Sequence, residues 1–267
     1  MLVDKLGLEF IICRNHSSLM NTIILSSYFT EKIHPNDPND PNVIGRSANG
    51  YVKKNNFSYI KNWYDSIVKN NLNAVLFCDG LSEEFIKTHE TDKIKFIKVE
   101  PFEYSNNDYR FFCFRNYLEN NKYDCVFHTD ASDVVVVKDP TKLVQDNNSI
   151  NYFACKDSIK LSEFPYMQAH DRFNWKNKVM FLINQNNWDL INMGVVGGRY
   201  EDMLLFYKKF CETRIIMGNP EFNSDMWVLQ YLLRSVFNEK KFIMGDPVCS
   251  EFKKHQKQRK DVYFIHK

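Results

Sequence analysis

The chain has 267 residues, a formal charge of +2, 44% apolar residues and 25% charged residues, which are ordinary values for a soluble globular protein. This length suits one large α/β domain or two small ones, and the near-neutral charge gives no support for nucleic-acid binding, which needs a concentrated basic face. No apolar run approaches the ~20 residues of a membrane span, and Asp4, Lys5 and Glu9 interrupt the apolar N-terminus, so we expect neither a membrane span nor a signal peptide.

The seven cysteines are an odd number without close pairs. Their spacing matches no zinc ligand set of the Cys-x-x-Cys type. This usage is typical of reduced thiols and favours a cytoplasmic protein over one built on disulfides.

Strands and helices alternate through the first half of the chain. A loop at 34–50, with three prolines and two glycines, interrupts them after the first strand. The βαβαβαβ order predicts a parallel sheet with helices on both faces. Apolar runs predict strands at 22–27, 74–78, 94–98 and 125–127, and apolar residues at helical spacing predict helices at 57–68, 82–89 and 109–120.

The second half is less regular. Residues 156–190 form a long segment with one short predicted helix near 178–182, and its Trp175 and Trp188 have buried packing or stacking on a ligand as alternative roles. No internal repeat or linker divides the chain. The remaining predicted elements are strands at 152–155, 191–197, 242–244 and 262–265 and helices at 203–217 and 224–237.

Two aspartates follow the buried strand at 125–127 directly. Asp130 and Asp133 precede a second β-branched run, and carboxylates are too costly to bury unpaired in a sheet. Because ligands of parallel sheets sit at the carboxyl ends of the strands, we expect a divalent cation with a phosphate-bearing ligand here. The alternative is that Asp130 caps a turn and Asp133 is solvated.

Five segments in order resemble the GT-A glycosyltransferases, from about residue 22 to the end. They read Leu-Ser-Ser-Tyr-Phe-Thr, His-Thr-Asp-Ala-Ser-Asp-Val-Val-Val, Asn-Met-Gly-Val-Val-Gly-Gly, Asn-Ser-Asp-Met-Trp and Phe-Ile-His-Lys. The spacing Asp-x-x-Asp departs from the usual Asp-x-Asp and resembles a Thr-Asp-x-x-Asp-Val variant. The resemblance implies a single Rossmann-like GT-A domain over 1–267, with a mostly parallel central sheet flanked by helices. Residues 22–137 would be its nucleotide-binding half and 138–267 its acceptor side.

The resemblance also implies a metal site. Asp133 would bind Mn²⁺ or Mg²⁺, Asp130 would bind the metal or the ribose, and His266 would complete the metal shell as in glycogenin-like members, since imidazole is an acceptable Mn²⁺ ligand. Lys267 would lie near the phosphates. For His266 the alternative is a frayed terminal residue.

Further residues would bind the donor by resemblance. Ser27 and Tyr28 would contact base and ribose, with a core tyrosine as the alternative for Tyr28. Of Arg110 and Arg115 we expect at most one to face the donor, since two arginines on one helix are more often solvated; arginine suits a diphosphate through its bidentate fork. The basic run 253–260 is a solvated loop or a lid over the diphosphate, and 34–50 is a second lid candidate.

By the same resemblance, the remaining motifs would bind the sugar or take part in the reaction. Asn192 and Gly194 resemble the sugar-binding Asn-x-Gly strand, against a β-bulge as the alternative. Asp225 would be the base of an inverting reaction or a positioning group in a retaining one; otherwise it is a carboxylate favourable at a helix N-terminus.

The sequence thus predicts a metal-dependent glycosyltransferase, with a UDP-sugar favoured over a GDP-sugar as donor and retention slightly favoured. A glycan, a protein or a small molecule would be the acceptor. Two alternatives are a donor-binding module without turnover and a metal-dependent phosphohydrolase. Ser26 to Phe29 replace the glycine-rich loop that a sugar nucleotidylyltransferase needs, and no aspartate follows the first strand as in a haloacid-type phosphatase.

Overall fold

The computed structural model describes residues 20–34, 50–100, 102–164, 187–254 and 256–267. The loop at 34–50, the helix near 178–182 and Trp175 fall wholly or almost wholly outside these ranges. The described strands are β1 Thr22–Tyr28, β2 Asn73–Cys78, β3 Ile94–Lys98, β4 Cys125–Thr129, β5 Val134–Val136, β6 Tyr152–Lys160, β7 Asp189–Arg199, β8 Phe242–Met244 and β9 Phe264–His266. The described helices are α1 Phe57–Lys69, α2 Glu83–His89, α3 Asn106–Asn120, α4 Thr141–Asp146, α5 Tyr200–Met217 and α6 Asp225–Tyr231.

Side-chain caps fix where the first three helices begin. Asn56 accepts a hydrogen bond from the Ser58 amide at the start of α1, and Ser82 accepts one from Phe85 in α2. Ser105 does the same for α3, which begins at Asn106, three residues before the prediction. Such caps satisfy amides that have no partner in the first turn of a helix.

The described residues form a seven-stranded sheet in the order β3-β2-β1-β4-β7-β6-β8 and a two-stranded sheet of β5 and β9. Strands β3, β2, β1 and β4 are parallel, β7 is antiparallel to β4 and β6, and β8 is parallel to β6. The prediction of a mostly parallel central sheet flanked by helices is therefore confirmed.

The core lies on both faces of this sheet. Alternate residues of β1 point to opposite faces, so that Ile23 and Leu25 pack on one side and Ile24 on the other. The first side holds the aromatic residues of α3 and α5, and the second holds the apolar face of α1 around Trp63.

Helix α4 was not predicted, and β6 and the last helix differ in extent or type from their predictions. Strand β6 continues to Lys160, whereas the predicted strand ends at Cys155. Its charged residues are satisfied at the sheet, because Lys156 pairs with Asp189 at 3.1 Å and Asp157 accepts from Asn192 at 2.9 Å. The helix predicted over 224–237 is α6, which continues as a π-helical turn at Leu232–Val236.

The prediction of reduced thiols is wrong for one pair of cysteines. Cys155 on β6 and Cys249 form a disulfide across 94 residues, with an S–S distance of 2.02 Å. Their proximity follows from the fold, because the chain beyond β8 passes beside β6 before it reaches β9. The other described cysteines are buried free thiols, namely Cys78, Cys113, Cys125 and Cys211.

Among the described residues no helix is both long enough and apolar enough to cross a bilayer.

Candidate metal centre and donor site

The carboxyl edge of the parallel strands brings the two aspartates to the end of the chain. Asp130 and Asp133 occupy the turn between β4 and β5, and β5 pairs antiparallel with β9 so that Val134 lies opposite His266. The Lys267 amide donates to the Asp133 carbonyl at 3.0 Å. This pairing brings His266 and Lys267 beside an acidic turn that precedes them by more than 130 residues.

Asp130, Asp133 and His266 form a three-residue cluster whose donor atoms lie within 4.8 Å of one another. His266 Nε2 is 3.5 Å from Asp133 Oδ2 and 3.7 Å from Asp130 Oδ2. These distances are too long for hydrogen bonds. They suit donors that share one ion, since ligands about 2.1 Å from a small divalent cation lie roughly 3 to 4 Å apart.

His266 is not a frayed terminal residue. Its side chain is 1% exposed, and neither ring nitrogen has a hydrogen-bond partner among the described residues. Buried polar atoms are nearly always partnered, so this imidazole fits a metal ligand. Two carboxylates and one imidazole are donors that Mn²⁺ accepts.

The position of His266 is fixed by its neighbours. Its amide donates to Ser250 Oγ at 3.0 Å, and its ring packs on Phe252 with ring centroids 4.2 Å apart. On the other side lies Gly194, where an added Cβ would be 2.0 Å from His266 Cε1. The imidazole therefore fills the space that any side chain at position 194 would take.

The aspartates control the charge of this histidine. Burial alone lowers the pKa of His266, but Asp133, and after it Asp130 and Asp157, raise that pKa above the ordinary value of 6.5. For Asp130, burial raises the pKa, but the Arg110 guanidinium and after it His266 together outweigh burial, so the pKa of that carboxyl lies below its usual 3.8. The site therefore attracts positive charge.

Arg110 connects this cluster to Asp225. One guanidinium nitrogen is paired with Asp130, and the other donates to Asp225 Oδ2 at 3.1 Å. Its Nε donates to the Asn107 carbonyl at 3.0 Å within α3. Because all three groups of the fork are engaged, Arg110 fixes the two carboxylates relative to each other.

Asp225 is buried at the first residue of α6, and a second ion pair supports that position. Asp108 and Arg214, both fully buried, are paired at 2.7 Å, and the Ser224 amide and hydroxyl donate to the same Asp108 carboxylate. Arg214 also donates to the carbonyls of the loop before α6. This network holds the residue that precedes Asp225.

Strand β7 contributes the third side of the site. Asn192 donates to Asp157 Oδ2 at 2.9 Å and accepts from the Gly194 amide at 2.7 Å, while the Gly194 carbonyl accepts from the Asp130 amide at 2.9 Å. The register between β6 and β7 shifts beside Asn192. The sequence does not indicate Asp157, because the predicted strand ends at Cys155 and the polar stretch Lys-Asp-Ser-Ile-Lys that follows carries no pattern that singles out the aspartate.

The structure does not bring every expected donor residue to the cluster. Arg115 bonds Asn116 on its own helix and lies 4.0 Å from Glu119. Tyr28 is fully buried, and its hydroxyl bonds the main chain at Lys53 and Asn56. The structure thus places Tyr28 as the core tyrosine of the alternative interpretation.

Two further candidates lie near the edge. Ser27, the last residue but one of β1, is partly exposed. Lys267 is half-buried beside Asp133, and burial followed by repulsion from Lys257 lowers its pKa. In the basic run, Arg259 pairs with Asp246 at 2.9 Å and with Asp261.

The parallel β3-β2-β1-β4 half, the reversed β7 beside it and the acidic turn after β4 define a GT-A fold. An active-site variant of LgtC has this fold with a TM-score of 0.51 and 14% identity, over 92% of this chain and 86% of LgtC. A glycosyltransferase involved in the glycosylation of the major capsid of PBCV-1 aligns with a TM-score of 0.47 and 14% identity, over 92% of each chain. No protein-family model and no curated protein sequence matches the chain.

Proposed function

We propose that this protein is a metal-dependent glycosyltransferase that moves a sugar from a nucleoside-diphosphate donor to an acceptor. One observation carries the proposal: the buried His266, whose two ring nitrogens have no hydrogen-bond partner among the described residues, faces Asp130 and Asp133 at the carboxyl edge of a GT-A sheet. Neither a solvated turn nor a frayed tail accounts for this arrangement.

Asp130, Asp133 and His266 would hold Mn²⁺ or Mg²⁺. When bound, the ion neutralises the charge that develops on the departing diphosphate. Lys267 adds a positive charge next to Asp133 for the same phosphates. Arg110 is engaged by two carboxylates, so its role in this proposal is to position them, and the diphosphate is left to the metal and Lys267.

The donor would lie along the carboxyl edge of β1 and β4. Ser27 is the base or ribose contact in this proposal, with Tyr28 supporting the loop beneath it. A UDP-sugar is the favoured donor and a GDP-sugar the next. Gly194 offers a main chain without a side chain, which a sugar can approach closely.

The environment of Asp225 supports retention. Arg110 engages one carboxylate oxygen and the Met226 amide donates to the other at 2.8 Å. A general base must reach the proton that it removes, whereas this carboxylate is held in place. Asp225 and Asn192 therefore position the sugar, and the leaving phosphate accepts the acceptor proton.

The two halves of the domain divide this work, with 22–137 binding the nucleotide and 138–267 facing a glycan, protein or small-molecule acceptor. The near-neutral charge still gives no reason to expect nucleic acid. The cytoplasmic location was inferred from reduced thiols, and the Cys155–Cys249 disulfide removes that argument, since such bonds persist in oxidising compartments.

A thermal-shift panel of UDP-, GDP-, CDP- and dTDP-sugars, each with and without Mn²⁺, tests the proposal. A ligand that binds only the folded protein raises the melting temperature by mass action. We expect a shift for one nucleotide class that requires Mn²⁺. Asp133→Asn should abolish it, and Asp92→Asn, which removes an exposed carboxylate on the loop before β3, should leave it unchanged.

The same samples discriminate the alternatives. A metal-dependent shift without sugar transfer or sugar release over days would indicate a binding module. Release of inorganic phosphate from phosphate esters would indicate a phosphohydrolase. The absence of any shift with all four nucleotide classes would contradict the metal and donor site.

A further inference from the structure

A cavity of about 470 Å³ opens where β7 enters the sheet. Its floor is the start of β7, with Trp188 and Asp189, and its walls are the π-helical turn after α6 and the strand β8. The other lining side chains include Leu233, Arg234, Lys240, Phe242 and Met244. The cavity therefore joins an apolar surface to cationic groups.

Arg234 is the exceptional group in this cavity. Its guanidinium lies over the Trp188 ring, 4.4 Å from the centroid, and one terminal nitrogen donates to the Asp189 carbonyl. Its Nε is buried and has no hydrogen-bond partner among the described residues. The terminal nitrogen that does not bond Asp189 also has no hydrogen-bond partner among the described residues, and unlike Nε it is not buried, so a ligand in the cavity can reach it. An unsatisfied charged donor costs more than a neutral one, which favours an acceptor atom supplied by a ligand at this nitrogen.

The charge around Arg234 favours an anion. The Asp189 carboxylate is already paired with Lys156 at 3.1 Å and with Lys160. Lys240 is paired with Asp202 at 3.0 Å. Four cations thus share two carboxylates, and Arg234 is the one of the four that forms no ion pair with a described carboxylate.

Two of the elements that line the cavity, β7 and the helical segment that begins with α6, also carry residues of the proposed transfer site. Asn192 is three residues along β7 from Asp189, roughly 10 Å at the rise of a strand. Arg234 follows Asp225 by nine residues, roughly 13 Å at the rise of a helix. A short oligosaccharide whose end reached Asn192 and Asp225 would extend to this cavity.

We propose that the cavity is a remote acceptor subsite for an acidic sugar, a hexuronic acid residue of a glycan. Its carboxylate accepts from the terminal nitrogen of Arg234 that has no described partner, and its ring packs on the apolar surface of Phe242 and Met244. A guanidinium suits a carboxylate through directed, charge-assisted hydrogen bonds. This subsite rests on the proposed transferase function for its role, but its ligand class rests on the cavity alone.

Calorimetric titration of the full chain tests the ligand class without donor or metal. The probes are cellobiuronic acid and cellobiose, a pair that differs in one carboxylate. The unmodified protein should bind the acid at least tenfold more tightly. Arg234→Gln should weaken binding of the acid by about 10- to 100-fold, as expected for a lost charge-assisted bond, and leave cellobiose unchanged.

Two further variants make the test specific. Arg199→Gln removes the same charge at the opposite edge of the sheet, where Arg199 pairs in register with Cys125, and should bind like the unmodified protein. Arg234→Lys keeps the charge without the planar guanidinium and should recover only part of the affinity. Equal affinity of the unmodified protein for the two probes, or none for either, would overturn the subsite whether or not the variants fold.

Transfer assays separate this inference from the proposed function. With acidic acceptors, Arg234→Gln should raise KM about tenfold or more, with kcat and sugar release to water unchanged. Selective binding of the acid by a protein that never turns over a donor would contradict the transferase and uphold the acidic-sugar site. Turnover with no preference for acidic acceptors would uphold the transferase and overturn the subsite.

Discussion

A side chain at position 194 and the His266 ring would compete for the same space. The absent side chain at position 194 leaves room for the imidazole, and the imidazole in turn faces Asp130 and Asp133. The Gly194 carbonyl also fixes the Asp130 amide at 2.9 Å. A single glycine thus sets two of the three proposed metal ligands.

Gly194→Ala should therefore displace the His266 ring. We expect the free energy of unfolding to fall by about 1–3 kcal/mol, as for overpacking of a core, and the affinity for Mn²⁺ to fall at least tenfold. Urea unfolding and Mn²⁺ titration measure the two effects. Unchanged Mn²⁺ affinity in this variant would contradict the placement of His266 in the site.

A double variant separates the collision from a general loss of packing. In the His266→Ala background the methyl group has room, so Gly194→Ala should cost much less stability there than in the unmodified protein. Equal costs in both backgrounds would show that the collision is with something else.

The raised pKa of His266 gives stability a defined dependence on pH. Without metal, the protonated imidazole between two carboxylates stabilises the fold fully below pH 6.5, and this contribution is lost as the pH rises through the higher folded pKa. Metal binding requires the neutral ring. From pH 6.5 upward, the melting temperature of the metal-free protein should fall while the increment from Mn²⁺ grows.

His266→Gln should remove both trends in the same melting experiments. His128 does not interfere, because burial lowers its pKa to about 3, well below this pH range. Parallel curves for His266→Gln and the unmodified protein would show that another group titrates.

At the scale of elements, the two-stranded sheet of β5 and β9 is small, and the disulfide anchors it. Cys249 forms an isolated bridge with Phe264 of β9, and the next residue, Ser250, accepts from the His266 amide. Cys155 lies opposite Asn192 in the sheet. The covalent bond therefore links the strand that carries His266 to the strands that carry the sugar-site residues.

Cys155→Ser combined with Cys249→Ser should lower the free energy of unfolding by about 2–4 kcal/mol, the usual range for a disulfide that closes a long loop. Mn²⁺ affinity should fall as well, because β9 loses its anchor. Urea unfolding with and without reductant measures the first effect, and reductant should not weaken the double variant further. Seven titratable thiols in the unfolded protein without reductant would contradict the bond.

At the scale of the whole molecule, the first half was predictable because its signals are local. Strands β1 to β4 are short, mostly apolar segments, and α1 has one apolar face, so their order predicts the parallel sheet with errors of at most three residues at the ends. The juxtaposition of Asp130, Asp133 and His266 came from the resemblance of motifs. No local pattern connects a turn after β4 to the last strand.

The features that were missed depend on contacts between distant residues. The disulfide needs the path of the chain beyond β8, and the partnership of Asp157 with Asn192 needs the register of β6 on β7. Arg110 and Arg115 lie on the same helix, and only the packing of α3 shows which of them contacts Asp130. Each becomes visible only when the sheet order is known.

The most direct test of the central claim is the release of nucleoside diphosphate from a donor sugar as Mn²⁺ is titrated. We predict release that saturates with Mn²⁺ in the unmodified protein and falls at least a hundredfold in Asp133→Asn, with Asp92→Asn unaffected. Release that is independent of Mn²⁺, or equal in Asp133→Asn, would contradict a metal centre at Asp130, Asp133 and His266.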